Sequence, residues 1–579
     1  MMVETRGIRT YDTVRASGAA IGKINTRRGV RAPCMLEEMR FGVFGWGIVA
    51  PKSPNIGAFT RNLSSSESWL SPFNGFGPDN FLAGIPEFRF EDYKEWIDGR
   101  FAPRQYQTLK EKMDLPTLYA IGAFIQSLGQ NPELEGELKA LGSQAHVYIG
   151  TGLGSLDTVY TSSVKLYEAQ RRWDRFWSDP RRNEPLRQHL AQSPETGDAS
   201  APPHPDSVCE AERDAAEAVW NRYWMEQSPE LRRYLAELAR IDGLSIEGDI
   251  ASGKLNAIRE KEKRRAKLQE EWQTPEPPWR VSANLIWNIH NTPAAQVSIL
   301  GKIRGLAFAP VAACSTFGVA LKLAMRAIAC GDAKVVVVGA TDPPPHPLTV
   351  GSFYSARVLS ADRSVSVPLT RLQGTHVAGG SVVWIVGDLE YCKSKGFRPL
   401  GMEPLSVGLS SDAHHIITPT AEGPWAAMQQ ALTEGGATPC DMGTWDLHAT
   451  ATPGDYSEVA GFRSIFPNTV VVTARKGTFG HGMGAGGGWE LTAQYLGYEA
   501  GHLYPTPLSE AELNQSIAGL HSEVVFDEPR AFPPGLGGKL SMGIGGINAC
   551  VISRPWGEET AVEEAAHDNH RQSAGRADP

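Results

Sequence analysis

Three short segments in the second half of this 579-residue chain bring one cysteine and two histidines into low-bulk surroundings. They read Val311-Ala-Ala-Cys314-Ser-Thr-Phe-Gly318, His448-Ala-Thr-Ala-Thr-Pro-Gly-Asp455 and Lys476-Gly-Thr-Phe-Gly-His481-Gly-Met-Gly-Ala-Gly-Gly487. A thiol can carry an acyl group as a thioester, and two imidazoles can steer a carbanion formed beside it. Cys314 follows a short apolar strand and precedes a helix-like stretch, Gly318–Cys330. At such a junction unpaired backbone N–H groups and the positive end of the helix dipole favour thiolate, the nucleophilic form. The same N–H groups can receive a developing oxyanion. Taken singly, a cysteine is more often a small buried residue and a histidine a hydrogen-bonded one. The combination shifts that balance toward catalysis. Lys476 precedes His481 in an apolar, glycine-rich context, where an ammonium requires a partner carboxylate; Glu490 and Glu458 are the candidates.

These residues need a scaffold of strands and helices. Strand-like runs occur at Phe41–Pro51, His146–Gly154, Leu306–Val311, Val335–Gly339, Val382–Val386, Thr469–Thr473 and Cys550–Ile552. Apolar or amphipathic helical stretches lie between them, at Leu115–Leu128, Gly318–Cys330, Trp425–Glu434 and Gly487–Ala500. The alternation predicts a layered α/β architecture. Residues 165–278 break the pattern with a Pro/Ser/Asp-rich piece and charged helical segments ending in Arg259–Trp272, and read as an insertion.

The length exceeds what one hydrophobic core usually serves, so a duplicated fold or two packed halves is expected. A formal net charge of −9 argues against nucleic acid as the main partner. No apolar run reaches the roughly 20 residues that span a bilayer. Seven cysteines without CxxC spacing suggest neither a zinc site nor a disulfide framework, and no metal site is expected; the sparse set fits a reducing, cytoplasmic setting. Residues 1–38 are Arg-rich and read as a disordered or leader segment, or as lying before the true start; residues 557–579 read as a disordered tail.

On the three motifs the sequence resembles the β-ketoacyl-acyl-carrier-protein synthases of the elongating, decarboxylating type, in the thiolase superfamily. Cys314 falls on the family's acyl-accepting cysteine, and His448 on the histidine of its His-Gly-Thr-Gly-Thr motif, here with Thr450 and Thr452. Lys476 and His481 fall on its Lys-Ser-x-x-Gly-His motif. Met542-Gly-Ile544-Gly-Gly-Ile-Asn548 resembles its gating segment, where the backbone N–H of Ile544 would be a second oxyanion donor. Asp412 matches a loop acid that contacts the asparagine, here Asn548.

The resemblance implies a duplicated thiolase-type α/β/α/β/α fold. Residues 39–400 would form a first half carrying Cys314, interrupted at 165–278. Residues 401–556 would form a second half carrying both histidines. It also implies decarboxylative condensation with a malonyl thioester, substrates borne on the phosphopantetheine of acyl carrier protein, no cofactor of its own, and a homodimer or a heterodimer with a related subunit. Arg357 is a weak candidate for a carrier contact. Departures from the family pattern are Gly379 in place of an acid, Ile544 in place of the gating phenylalanine, Cys550 in place of a frequent histidine, and the insertion. Two rival readings keep the same residues. One is an acyltransferase or hydrolase that does not condense. The other is a non-catalytic partner subunit resembling chain-length factors, which typically lose the nucleophile. The condensing reading requires the sulfur and both rings to converge within about 10 Å.

Overall fold

The computed structural model describes residues 39–77, 81–192, 200–244, 252–281 and 284–556. The expected leader at 1–38 and tail at 557–579 lie outside them. The fold is organised by two sheets. The first contains β1 (Phe41–Val49), β2 (Ala145–Gly150), β3 (Ala307–Phe308), β4 (Val335–Asp342) and β5 (Gly380–Asp388). The second contains β6 (Glu403–Ser411), β7 (Met442–Asp446), β8 (Val471–Thr473), β9 (Glu523–Val524), β10 (Leu536–Gly543) and β11 (Ile547–Arg554).

The first sheet runs β1-β5-β4-β2-β3 and the second β6-β11-β10-β7-β8-β9. In the first, β1–β5 and β5–β4 pair antiparallel, then β4–β2 and β2–β3 parallel. The second repeats this with β6–β11 and β11–β10 antiparallel, then β10–β7 and β7–β8 parallel, with β9 added at the edge. The chain is one topological unit used twice.

Two helices in equivalent positions fill the space between the sheets: α1 (Thr316–Ala329) follows β3 and α2 (Met483–Ala500) follows β8. Both pack on strands of both sheets. Alternation along β4 shows the layering directly. Val336 and Val338 join Phe317, Leu321, Trp384 and Trp489 in the central core, whereas Val335 and Val337 join Ala120, Phe124 and Val297 in an outer one. Helix Glu422–Glu434 and helix Gly454–Arg463 cover the outer face of the second sheet through Ala427, Ala431 and Phe462. The result is five layers, α/β/α/β/α.

Helix α2 begins at Met483, before the expected Gly487, although its first residues are Met-Gly-Ala-Gly-Gly-Gly. Glycine inside a helix normally costs about 0.5–1 kcal/mol relative to alanine. Here it is required by close approach. A Cβ at Gly488 would stand 2.5 Å from Val382 Cγ1 and 2.8 Å from Phe317 Cδ2.

The insertion joins β2 to β3 and contains helices Leu156–Trp177, Glu184–Ala191, Arg213–Gln227, Pro229–Asp242 and Ser252–Trp272. It has apolar cores of its own. Trp173, Trp177, Met225, Leu231, Tyr234 and Leu268 form one, and Leu186, Trp220 and Trp224 another. The first helix starts at Leu156, ahead of residue 165, and brings the Trp173/Trp177 pair onto one face. The charged character of the segment conceals these aromatic pairs in the sequence. Part of its Pro/Ser/Asp-rich piece, 193–199, lies outside the described residues. Cys209, Cys314, Cys392, Cys440 and Cys550 are free thiols.

Gly488→Ala is expected to destabilise the protein by about 1–3 kcal/mol through overpacking, read as a lower urea midpoint. Gly461→Ala is the matched control, because a Cβ there meets nothing within 4 Å. It should be neutral or stabilising by up to about 1 kcal/mol.

Candidate active site

Cys314 sits in the single turn Ala313–Ser315 that opens α1, after Ala313 at φ 47°. That left-handed step swings the chain off the strand and presents the sulfur at the helix start. Ser315 Oγ donates to the carbonyls of Ser541 (3.1 Å) and Ile547 (2.7 Å), which ties the turn to the β10–β11 hairpin. The hairpin tip carries Ile544, and its backbone N–H, like that of Cys314 itself, favours the thiolate form of the Cys314 sulfur.

His448 follows β7. Its backbone N–H donates to Glu458 Oε1 at 2.6 Å, and Ala449 N–H to Oε2 at 2.8 Å. The following turn is held by Asp455, which accepts the N–H groups of Thr450 (2.8 Å) and Ala451 (3.1 Å). His481 follows Gly480, at φ 79°, and is pinned across to the first repeat. Its N–H donates to the His376 carbonyl at 2.7 Å, and its carbonyl accepts from Ala378 N–H at 2.9 Å.

These segments converge. Cys314 Sγ lies 3.1 Å from His481 Nε2. The two imidazole centroids are 5.4 Å apart with planes at 82°. The sulfur and one nitrogen of each ring all lie within 4.8 Å of one another, and all three residues are buried. The three side chains separated by up to 167 positions therefore share one site.

Beneath the rings lies a charged layer. Lys476 Nζ is 2.7 Å from Glu490 Oε1 and also donates to the His448 carbonyl. Lys539 Nζ is 2.8 Å from Glu490 Oε2, and Arg475 Nε is 3.2 Å from Asp446 Oδ2. All of these are buried. Burial opposes ionisation of Glu490, but the two ammonium groups hold its carboxyl below the ordinary range. Burial and the charge of Lys476 push both imidazoles well below their ordinary value, so they are neutral. The thiolate expected from the helix start is not the resting form. Burial pushes the Cys314 thiol up to about 11, against the pull of the Ile544 and Cys314 N–H groups.

The remaining expected residues fall as follows. Glu490 partners Lys476, while Glu458 is spent on the His448 backbone. Asp412 Oδ1 accepts from Asn548 Nδ2 at 2.7 Å, and Asp412 N–H donates to the Gly546 carbonyl at 2.8 Å, so this pair holds the hairpin tip. Met542 pairs with Asn548 across the hairpin and packs on the second core. The Thr450 and Thr452 hydroxyls hydrogen-bond to each other at 3.0 Å. Arg357 is exposed in a left-handed turn, at φ 61°. The motifs did not single out Lys539, the Arg475–Asp446 pair or Asp342. Asp342 accepts N–H groups from Gly152, Leu153 and Gly484 at 2.8 Å each. A lysine inside a strand of mostly small and apolar residues, three positions before the quoted gating segment, was the one available signal for Lys539.

Comparison with known proteins agrees with this geometry. The β-ketoacyl synthase N-terminal domain family matches residues 245–390, and the β-ketoacyl synthase C-terminal domain family matches 404–508. The 3-oxoacyl-[acyl-carrier-protein] synthase 2 of Rhizobium meliloti (strain 1021) is 30% identical over 48% of this chain and 68% of its own length. The chloroplastic 3-oxoacyl-[acyl-carrier-protein] synthase I of Arabidopsis thaliana is 27% identical over 45% of this chain and 57% of its own. Among solved structures, the ishigamide ketosynthase/chain length factor matches 90% of this chain and 100% of its own at 17% identity, with a TM-score of 0.62, which shows the fold. The chain belongs to the β-ketoacyl synthase family of the thiolase superfamily.

Proposed function

We propose that this chain condenses a cysteine-bound acyl group with a malonyl thioester, with loss of CO₂, to give a β-ketoacyl thioester in fatty-acid or polyketide synthesis. The observation that carries the reading is the joint approach of Cys314, His448 and His481. A hydrolase needs one base beside its nucleophile; two neutral imidazoles beside one sulfur suit a carbanion.

The Cys314 sulfur attacks the acyl thioester. Its proton passes through His481 Nε2, 3.1 Å away, to the departing thiolate, so one S–H is consumed and one formed. The N–H groups of Cys314 and Ile544, which favour negative charge at the sulfur, hold the tetrahedral oxyanion. The malonyl thioester then enters. His448 and His481 each donate one N–H to its carbonyl oxygen while CO₂ departs and the enolate forms. The enolate carbon attacks the acyl-cysteine, and the Cys314 sulfur leaves as thiolate, which takes up one proton from solvent to restore the resting thiol. The donors act on charge that exists only during the step, which is why they raise the rate.

The names of the curated relatives support acyl carrier protein as the bearer of both substrates, through its phosphopantetheine arm. A two-subunit assembly is supported by β3, an edge strand flanked by exposed Leu306 and Val311, with Ile299 exposed nearby. Sedimentation should give twice the mass of one chain, or a complex with a related subunit; a monomer under all conditions removes the assembly.

Cys314→Ala should form no acyl-enzyme by intact-protein mass. His481→Ala should lose on the order of 100- to 1,000-fold in condensation rate. An acylated Cys314→Ala protein overturns the assignment, as does a wild-type protein that hydrolyses its acyl thioester without lengthening it. A thiol held up to about 11 is neutral at pH 7 and ionises only as the pH rises. Iodoacetamide labelling of Cys314 should therefore accelerate about tenfold per pH unit from 7 to 10, without a plateau. A plateau below pH 8 would contradict it.

A further inference from the structure

Behind the reacting side chains stands a second buried lysine that the proposed chemistry does not use. Lys539, in β10, is 1% exposed. Its Nζ lies 2.8 Å from Glu490 Oε2 and 3.3 Å from the Leu447 carbonyl oxygen, and it donates also to the Leu540 carbonyl. Leu447 immediately precedes His448. Lys476 occupies the mirror position, on Glu490 Oε1 and the His448 carbonyl. Two ammonium groups, both held by one carboxylate, thus donate to the two consecutive carbonyls from which the His448 side chain is hung.

We propose that Lys539 is a positioning residue for condensation: with Lys476 it clamps carbonyls 447 and 448, aims His448 at the Cys314 sulfur, and adds a second positive charge behind the imidazole pair. This rests on the condensing role given above to His448 and His481. A strand that lies in the apolar interior gains nothing in packing from a buried ammonium, and an unpaired one is costly. One lysine suffices to balance Glu490. The second leaves the trio of Lys476, Lys539 and Glu490 with an excess positive charge, next to the already paired Arg475 and Asp446.

The charged and titratable groups facing the imidazoles come from every element around them. They are Cys314 at the start of α1, Asp342 at the end of β4, Asp446 at the end of β7 with its partner Arg475, Glu458 in helix Gly454–Arg463, Lys476 at the start of the short helix Lys476–Phe479, Glu490 in α2 and Lys539 in β10. Asp342 and Glu458 are both raised to about 7 by burial, which limits the negative charge they offer near neutrality. Lys539 is among the charges that disfavour protonation of both His448 and His481. Removing it makes each ring easier to protonate, so acid inactivation begins at a higher pH.

The test uses the full chain with acyl- and malonyl-carrier-protein thioesters. Acylation is followed by intact mass, condensation by product formation across pH, and folding by circular dichroism and thermal midpoint. Lys539→Met is expected to lower condensation kcat about tenfold or more while acylation falls less. It should also move the acid limb of the kcat profile upward by about one pH unit. Lys539→Arg, which keeps the charge but not the grip on carbonyl 447, should leave the limb in place with condensation still reduced. A folded Lys539→Met protein with wild-type condensation and an unmoved limb overturns the proposal. If Lys539→Met does not fold, Lys539→Arg decides: a wild-type condensation rate or a displaced limb overturns it. A wild-type enzyme that forms no lengthened product sinks the condensing reading instead, and is distinguishable from either result.

Discussion

A carboxylate sealed from water must find enough positive charge within contact distance, or it takes up a proton. Glu490 meets that demand with two lysines, one from the short helix Lys476–Phe479 before α2 and one from β10, both hydrogen-bonded to it. The same ammonium groups reach on to the backbone of residues 447 and 448. Through this single buried carboxylate the central helix, the hairpin strand and the histidine-bearing strand end become one rigid body. The catalytic geometry is a consequence of that neutralisation. Releasing Glu490 would leave two uncompensated ammonium groups in a low-dielectric interior, which is strongly unfavourable.

The duplicated topology decides what the clamp holds. In the first repeat the junction between β3 and α1 carries Cys314; in the second the junction between β8 and α2 carries Lys476 and His481. Because α1 and α2 pack together between the sheets, these equivalent junctions lie side by side. The strand ends that follow β2 and β7 are likewise equivalent, but they serve different ends. Thr151–Leu153 bind the buried Asp342, whereas residue 448 is an imidazole within 4.8 Å of the sulfur. Two copies of one scaffold thus supply complementary groups: a nucleophile from one, donors and a charged floor from the other.

The site is buried, and burial has opposing effects. It raises the thiol and keeps the imidazoles neutral, so the nucleophile rests protonated and the donors rest uncharged. In return, each N–H aimed at a developing negative charge acts at full strength without competition from solvent. The glycine run of α2 serves the same end. It lets the helix lie against Val382, Phe317 and Ser541 with no side chain between, which excludes water from the layer below the reacting groups.

The chemistry-bearing side chains were legible in the sequence because each sits in a short stretch whose composition differs from its surroundings: Ala-Ala-Cys-Ser-Thr, His-Ala-Thr-Ala-Thr, Lys-Gly-Thr-Phe-Gly-His. So was the α/β alternation, since β4 and β5 are runs of valine that only a strand covered on both faces accommodates. Three features were not legible. Helix α2 begins inside a glycine run that local propensity assigns to a loop, and its close fit to the sheets overrides propensity. The insertion's tryptophan cores are masked by the charges around them. Lys539 resembles an ordinary strand residue until β10 is placed beside Glu490. Local composition marked which reactive groups were present, because composition is a local property, and the resemblance to the family implied which half would carry each. Only the tertiary structure decided the ionisation of Cys314, the partners of Glu490 and the aim of His448, because burial and charge proximity arise between segments far apart in the chain.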